Sequence, residues 1–257
     1  MQITSKSNEE YKRIKKLITK SDELIFIEGK KLVEEALQHS LIFEEIIIDK
    51  TIVDPSKLSL KDNVKITSLD KELISSLFTT NNKPTGGELL CAFAKRPQWK
   101  IHDLIKTKLN LIYLENIQDP GNLGAIFRSA LAFNAGGILL SSNSVDVFNT
   151  KVIRASAGAV FKLPFFCIAN TKELLKLKQE NKYNIYATTL KSKNDIYLIK
   201  NPAIIMFGNE GQGLTDEAIS IADDKVKINH SKNVESLNLS NSCSIVLHKL
   251  FELKENI

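Results

Sequence analysis

Three short stretches of the chain hold residue types able to grip a small polar ligand and steer a reaction on it. The first runs Leu114-Glu115-Asn116-Ile117-Gln118-Asp119-Pro120-Gly121-Asn122-Leu123-Gly124 and on to Arg128. Asp-Pro-Gly forces a tight turn, and a helix is expected from about Asn122. Arg128 then lies about one and a half turns in, able to lean back over the loop. A helix start beside an arginine suits a phosphate or a developing negative charge. Glycines at 121 and 124 do not make the dinucleotide fingerprint GxGxxG.

The second stretch is Gly208-Asn209-Glu210-Gly211-Gln212-Gly213-Leu214. Its three glycines leave backbone N–H and C=O groups uncovered, ready to hydrogen-bond a ligand edge. No Lys-Ser/Thr pair follows, which excludes a phosphate-binding P-loop. Glu210 among the glycines is awkward for a bare triphosphate and suits a ligand with hydroxyls or a positive charge. The third stretch, Val234-Glu235-Ser236-Leu237-Asn238-Leu239-Ser240, opens the last helix. Ser236 and Asn238 can hydrogen-bond a ligand, and Ser240 is expected as the N-cap. The first and third stretches alone also have plainer readings: a helix-start turn with a solvated arginine, and a capping segment. His230, just before the third stretch, is an alternative proton acceptor. No His, Cys and carboxylate residues share metal-ligand spacing, so no metal is expected.

The elements that must position these residues show a rhythm. From Asn110 onward, strand-like runs at 111–114, 137–140, 165–169, 185–189, 203–207 and 226–228 alternate with helical runs at 122–134, 171–180, 214–222 and 239–253. Such alternation predicts a mostly parallel, doubly wound sheet, whose ligands bind beyond the carboxyl ends of its strands. Ahead of it, residues 1–95 read as a small α/β domain. Helices are expected at 7–20, around Leu32–Leu37, and after Ser68 as cap. A short apolar run lies at 24–27, and strands are expected at 46–48, 64–67 and 89–94, with a turn-rich loop at Asn81–Gly87. Residues 96–109 read as a linker, and 110–257 as the second domain.

Apolar residues make up 43% of the chain and charged ones 25%, which argues against disorder. The first residues lack an apolar signal core, and no apolar run is long enough to span a bilayer; a cytoplasmic protein with no membrane partner is expected. Cys91, Cys167 and Cys243 lie far apart among apolar neighbours, as small buried hydrophobes in a reducing compartment would. The net charge of +5 is uneven. Residues 1–95 balance 15 basic against 15 acidic side chains, whereas 96–257 carry 20 against 15. A polyanion could meet the second domain, and also the first helix, where residues 1–20 hold six basic and two acidic side chains. Solvated faces tuned for solubility would give the same counts.

Taken together and in order, Asp119-Pro120-Gly121-Asn122-Leu123-Gly124…Arg128, Gly208-Asn209-Glu210-Gly211-Gln212-Gly213-Leu214 and Ser236-Leu237-Asn238-Leu239-Ser240 resemble the three motifs of the SpoU/TrmH family of RNA 2′-O-ribose methyltransferases. Arg154-Ala155-Ser156-Ala157-Gly158-Ala159-Val160-Phe161 looks like the family's stretch between the first two motifs. Residues 24–94 are similar to its N-terminal RNA-binding domain. The resemblance implies a C-terminal trefoil knot in the doubly wound domain, a homodimer whose active site borrows from both chains, and S-adenosylmethionine as cofactor. By motif position the cofactor falls to Gly208, Asn209, Glu210, Gly211, Ile228 and Leu237. Catalysis falls to Arg128, with Asn122, Ser236, Asn238 and Glu210 orienting. The arginine is expected to stabilise a nascent alkoxide rather than to act as a base, because guanidinium scarcely deprotonates. The chain departs from the family at Ile228-Asn229-His230-Ser231-Lys232-Asn233, where many members have Ile-Pro-Met-x-Gly.

The resemblance implies an RNA substrate, ribosomal RNA being favoured and tRNA the alternative. A non-catalytic RNA-binding protein that kept the fold, a nucleotide-binding oxidoreductase, and a methyltransferase acting on another acceptor are the competing readings.

Overall fold

The computed structural model describes residues 2–39, 41–58, 60, 63–79 and 89–255, so the loop expected at Asn81–Gly87 lies outside the described residues. Two compact units divide the chain, Met1–Gln98 and Trp99–Ile257.

The first unit holds helices α1 (Glu9–Lys20), α2 (Lys30–Gln38) and α3 (Lys71–Ser75) and strands β1 (Leu24–Glu28), β2 (Phe43–Ile48), β3 (Lys65–Ser68) and β4 (Leu90–Lys95). The sheet order is β1-β4-β2-β3, with β4 antiparallel to both neighbours and β2 parallel to β3. Its core joins Tyr11 and Ile14 of α1 to Phe26, Ile47 and Phe93 of the sheet, with the Phe26 and Phe93 rings 5.2 Å apart. Ser68 ends β3 rather than capping α3. The cap is Asp70, whose carboxylate accepts from Leu73 N at 2.8 Å; a carboxylate two residues on reaches the first free N–H groups where the strand-bound serine cannot. One buried carboxylate, Glu45 on β2, is held by Arg13, Lys65 and Thr67.

The second unit is built on a six-stranded sheet. Its strands are β5 (Leu111–Leu114), β6 (Gly137–Ser141), β7 (Phe165–Ile168), β8 (Asn184–Thr188), β9 (Ala203–Phe207) and β10 (Asp224–Val226). They lie in the order β10-β8-β9-β5-β6-β7, and every pairing is parallel. Central strands such as Ala203–Phe207 are buried along their whole length, as a sheet covered on both faces requires. The helices are α4 (Ile101–Ile105), α5 (Pro120–Ala132), α6 (Thr150–Ala155), α7 (Thr171–Asn181), α8 (Asp216–Ser220) and α9 (Leu239–Glu255). The stretch expected as a linker thus contains α4, whose Leu104 is fully buried in the core of this unit.

Helices α1 and α8 begin two residues later than expected, at Glu9 and Asp216, and the start of α5 and the cap of α9 also differ from the sequence expectation. Helix α5 begins at Pro120, because Asp119 caps it by accepting from Asn122 N at 2.7 Å and proline is preset for the first helical position. At α9 the cap is Asn238 rather than Ser240. Its Oδ1 accepts from Ser240 N at 2.9 Å and from the Ser240 hydroxyl at 2.7 Å.

The strand order reverses beside β5. The chain steps outward through β6 and β7, crosses to β8 on the other side, fills the gap with β9, and ends at the edge with β10. A ligand site is expected at the carboxyl ends near such a reversal. Helix α5 follows β5 and buries Leu123, Ile126, Phe127 and Ala130. It also lies hard against α6: a Cβ on Gly124 would come within 2.5 Å of Ala155 Cβ and 2.6 Å of the Val152 carbonyl oxygen. That contact ties the first motif to the Arg154–Phe161 stretch. On its other side, α5 meets α9 through the Ser129 and Ser244 hydroxyls, 2.7 Å apart. Cys91 and Cys243 are buried, but Cys167 is exposed because β7 is an edge strand. No helix among the described residues is long and apolar enough to cross a membrane.

Candidate active site

Beyond the carboxyl ends of β8, β9 and β10 opens a cavity of about 750 Å³, within the range of sites for nucleoside-sized ligands. Its floor is the 208–214 loop, which the sequence shapes through two devices. The first is Gly208. A Cβ there would fall 2.0 Å from the Gly213 carbonyl carbon and 2.1 Å from Leu214 N, so only glycine lets the loop fold back onto its own start. The second is Asn209. Its backbone exchanges hydrogen bonds with Gly213 (3.1 and 2.9 Å), its Oδ1 accepts from Gly211 N and Gln212 N, and its Nδ2 donates to the Asn116 carbonyl at 2.8 Å. Asn209 lines the cavity with these groups already engaged, so it shapes the loop.

The loop is anchored at its far end by a residue that sequence reasoning passed over. Glu115, buried at the end of β5, accepts from Thr215 N at 2.7 Å and from the Thr215 hydroxyl at 2.9 Å. Thr215 in turn caps α8. The negative charge is felt nearby: burial first, then the Glu115 and Glu217 carboxylates, push the Tyr113 phenol up to about 12.

Three of the residues singled out for chemistry converge directly. Asn122 Nδ2 donates to Glu210 Oε1 at 3.1 Å, and Asn238 Nδ2 donates to Asn122 Oδ1 at 3.0 Å. One side chain from each motif thus forms a continuous chain of hydrogen bonds across separations of 88 and 116 residues. An asparagine amide has two N–H groups. One N–H on each of Asn122 and Asn238 is therefore left to donate elsewhere, as is the exposed hydroxyl of Ser236. Gly208, Glu210, Gly211, Ile228, Ser236, Leu237 and Asn238 all line the cavity.

Asn122 does not itself line the cavity but bridges Glu210 and Asn238, which do. Arg128 stands apart. It is exposed on α5, does not line the cavity, and forms no ion pair among the described residues. Six residues beyond Asn122, it is about 9 Å further along the axis and rotated about 240° around it. His230 does line the cavity, with Nδ1 2.9 Å from the Ile228 carbonyl oxygen; a carbonyl only accepts, so Nδ1 carries the proton. The cavity has one wall that sequence reasoning missed, Thr188-Thr189-Leu190-Lys191. It holds no glycine cluster or carboxylate to draw the eye. Its place after β8, next to the strand that feeds the glycine loop, was the available signal.

An all-parallel α/β sheet with a nucleoside-sized cavity beyond the carboxyl ends of β8, β9 and β10, and three distant motifs joined by their amides and a carboxylate, defines a small-ligand-binding domain of catalytic build. The chain belongs to the SpoU rRNA Methylase family, whose model matches residues 110–248. It is 28% identical over 256 residues to the 23S rRNA (guanosine(2553)-2′-O)-methyltransferase RlmP of Bacillus subtilis, covering 97% of this chain and 98% of that one. It is 35% identical over 144 residues to a tRNA/rRNA methyltransferase of Synechocystis, of which it spans about half (52%). In three dimensions it resembles the SpoU methyltransferase AviRb from Streptomyces viridochromogenes, solved with AdoMet, at a TM-score of 0.86 and 18% identity over 96% of this chain and 98% of that one. The AdoMet-bound rRNA methyltransferase from Sinorhizobium meliloti matches at 0.83 and 24% identity over 100% and 98%. The family resemblance carried by the three motifs holds, and the fold extends through both units.

Proposed function

We propose that the second unit transfers a methyl group from S-adenosylmethionine to a ribose 2′-hydroxyl of RNA, with ribosomal RNA as the favoured substrate and tRNA as the alternative. The observation that carries this reading is the Glu210–Asn122–Asn238 hydrogen-bond chain at a cavity floored by the glycine loop. The walls suit the cofactor. Gly208, Gly211, Ile228 and Leu237 offer backbone groups and apolar surface to a planar base, and Glu210 offers a carboxylate to a ligand bearing hydroxyls and a positive charge. Bound there, the cofactor supplies a methyl group on a positively charged sulfur.

The rest falls to the chain. Asn122, Asn238 and Ser236 hold the ribose and its neighbouring phosphate through their free donors, which fixes the hydroxyl in line for attack. Glu210 keeps Asn122 from rotating. Arg128 stabilises the negative charge growing on the 2′-oxygen, and its proton leaves to water or a substrate phosphate. Because Arg128 is turned away from its own cavity, it serves the cavity of a second copy, and the enzyme works as a homodimer. Leu131 on α5 and Ile245 on α9, each more than a third exposed, supply apolar surface for that contact. In the segment 227–238, which returns from the edge strand β10 to α9, we read the threading of a trefoil knot. The first unit serves as the RNA-binding domain, and the protein works in the cytoplasm.

Incorporation of tritiated methyl groups into ribosomal RNA and tRNA tests the activity. Mapping the 2′-O-methyl groups lost on gene deletion names the nucleotide. Arg128→Ala keeps cofactor binding and loses most turnover. Mixing that variant with Asn238→Ala restores about a quarter of wild-type activity, since half the dimers then hold one intact site. Full activity of Arg128→Ala alone ends the assignment.

A further inference from the structure

Resting on the reading of RNA as substrate, we propose that Lys191, Lys193, Lys225, Lys227 and Lys232 form the track that grips the RNA phosphate backbone beside the cavity. The excess of basic residues beyond position 96 is a feature that the catalytic reading leaves unused. The structure gathers part of it in one place. The chain leaving β8 is stitched to β10 and its exit: Thr189 N donates to the Val226 carbonyl at 2.9 Å, Lys227 N to the Asn194 carbonyl at 2.9 Å, and the Ser192 hydroxyl to the Lys225 carbonyl at 2.6 Å. Lys191 and Lys193 therefore run alongside Lys225 and Lys227, and Lys232 follows in the loop that closes the cavity. Lys191 and Lys227 line the cavity itself, so the track starts where the ribose must enter.

None of the five forms an ion pair among the described residues, whereas Lys106, Lys176, Lys178 and Lys249 of the same unit all do. Two of the nearby carboxylates are held by amides. Asp224 accepts from Asn194 Nδ2 at 2.8 Å and from Lys225 N at 2.7 Å. Asp195 accepts from Asn229 Nδ2 and, at 3.1 Å, from Tyr197 N. Glu210, Asp216 and Glu235 line the cavity, and Asp223 pairs with Lys178. The five ammonium groups thus have no ion pair among the described residues to lose when a phosphate arrives. A ribose cannot reach the cavity without its flanking phosphates, and a lysine meets such a phosphate as a mobile point charge. The competing account is that lysines on the edge strand β10 merely deter strand-to-strand aggregation.

The test leaves the cavity-lining Lys191 and Lys227 in place and compares Lys193→Gln/Lys225→Gln/Lys232→Gln with wild type. Binding of a labelled single-stranded RNA is followed across potassium chloride concentration. Three lost phosphate contacts flatten the logarithmic salt slope by about 2 to 3, so over a fourfold rise in salt the wild type loses about 16- to 64-fold more affinity than the variant. The variant's KM for a 23S ribosomal RNA transcript rises, kcat at saturating RNA holds, and S-adenosylmethionine binding by calorimetry is unchanged. Wild-type salt slope and KM in the variant overturn the proposal. So does a variant that aggregates while its soluble fraction binds RNA as wild type does, the signature of edge protection. If replacing Lys225 prevents folding, Lys193→Gln/Lys232→Gln leaves the strand intact and flattens the slope by about 1 to 2. A wild-type chain that neither binds nor methylates RNA overturns the proposed function along with this inference, whereas equality of variant and wild type overturns this inference alone.

Discussion

Replacing Gly208 by alanine separates the cavity floor from the stability of the fold. The new methyl carbon would stand 2.0 Å from Gly213 C, 2.1 Å from Leu214 N and 2.3 Å from Gly213 O. Ordinary carbon contacts begin near ~3.5 Å, so the loop must open by more than about 1 Å. All three obstacles are backbone, and no side chain can swing aside. Opening breaks the paired hydrogen bonds between Asn209 and Gly213, a loss of about 1–3 kcal/mol with overpacking of similar size. Because residues 210–213 are exposed, the strain relaxes outward and leaves the sheet intact. S-adenosylmethionine affinity is therefore expected to fall about 10- to 100-fold, the equivalent of roughly 1.4–2.8 kcal/mol, with little change in the melting temperature. Gly211→Ala is the internal control. Its methyl would meet only Asn209 Oδ1, at 3.6 Å, and affinity should stay within about threefold, less than 1 kcal/mol. Calorimetry on both variants decides. Equal affinities for Gly208→Ala and wild type would refute the reasoning, as would a Gly211→Ala loss as large as that of Gly208→Ala.

Glu115→Gln turns an N–H toward a Thr215 donor in a buried site; the second unit should lose about 1–3 kcal/mol in a chemical unfolding titration, and an unchanged midpoint would show the carboxylate is dispensable. Hydrogen bonds from Arg13 and then Lys65 hold the Glu10 carboxyl near about 2, below its ordinary 4.5. A lowered folded-state value stabilises above the unfolded value, so this contribution is complete above pH 4.5 and disappears as pH falls toward 2. Protection of α1 amides from hydrogen exchange should follow that window in wild type and lose it in Glu10→Gln; matching profiles would remove Glu10 from the account. Desolvation pushes the titration of all three thiols upward, but Cys167 is exposed while Cys91 and Cys243 are buried, so a thiol reagent should label one group in the folded protein and the other two only on unfolding. Rapid labelling of a second group would contradict the burial.

Much of this architecture was legible because burial and periodicity agree. Ala203–Phe207 is apolar without alternation and becomes a central parallel strand; Thr171–Asn181 has a helical stripe and becomes α7. What escaped depended on competition between neighbours. Asn238 and Ser240 are both good caps, and Asn238 wins because its Oδ1 reaches Ser240 N while its Nδ2 is held by Asn122. Helix α4 hid in a polar segment because one buried leucine, Leu104, is enough to dock five residues. At the site, motif order brought Asn122, Glu210 and Asn238 together on paper and the fold does so in space. Glu115 was invisible because a carboxylate at a strand end reads as solvated until its partner, 100 residues away, is known. Half of the basic promise of the first helix also dissolved on inspection: Lys12 and Arg13 pair with glutamates, and Lys15 donates to the Ser76 carbonyl.

The hydrogen-bond chain that begins at Glu210 and ends at Asn238 has a consequence for biosynthesis. A ribosome delivers Asn122 early, Glu210 much later, and the Ile228–Asn238 wall after nearly all of the sheet has emerged. Until that wall arrives, the nascent protein has strands and helices but no pocket to fill. A chain halted before residue 238 should therefore fold a good part of its sheet and still ignore the methyl donor, so binding competence appears abruptly, once that segment is in place, rather than growing with length.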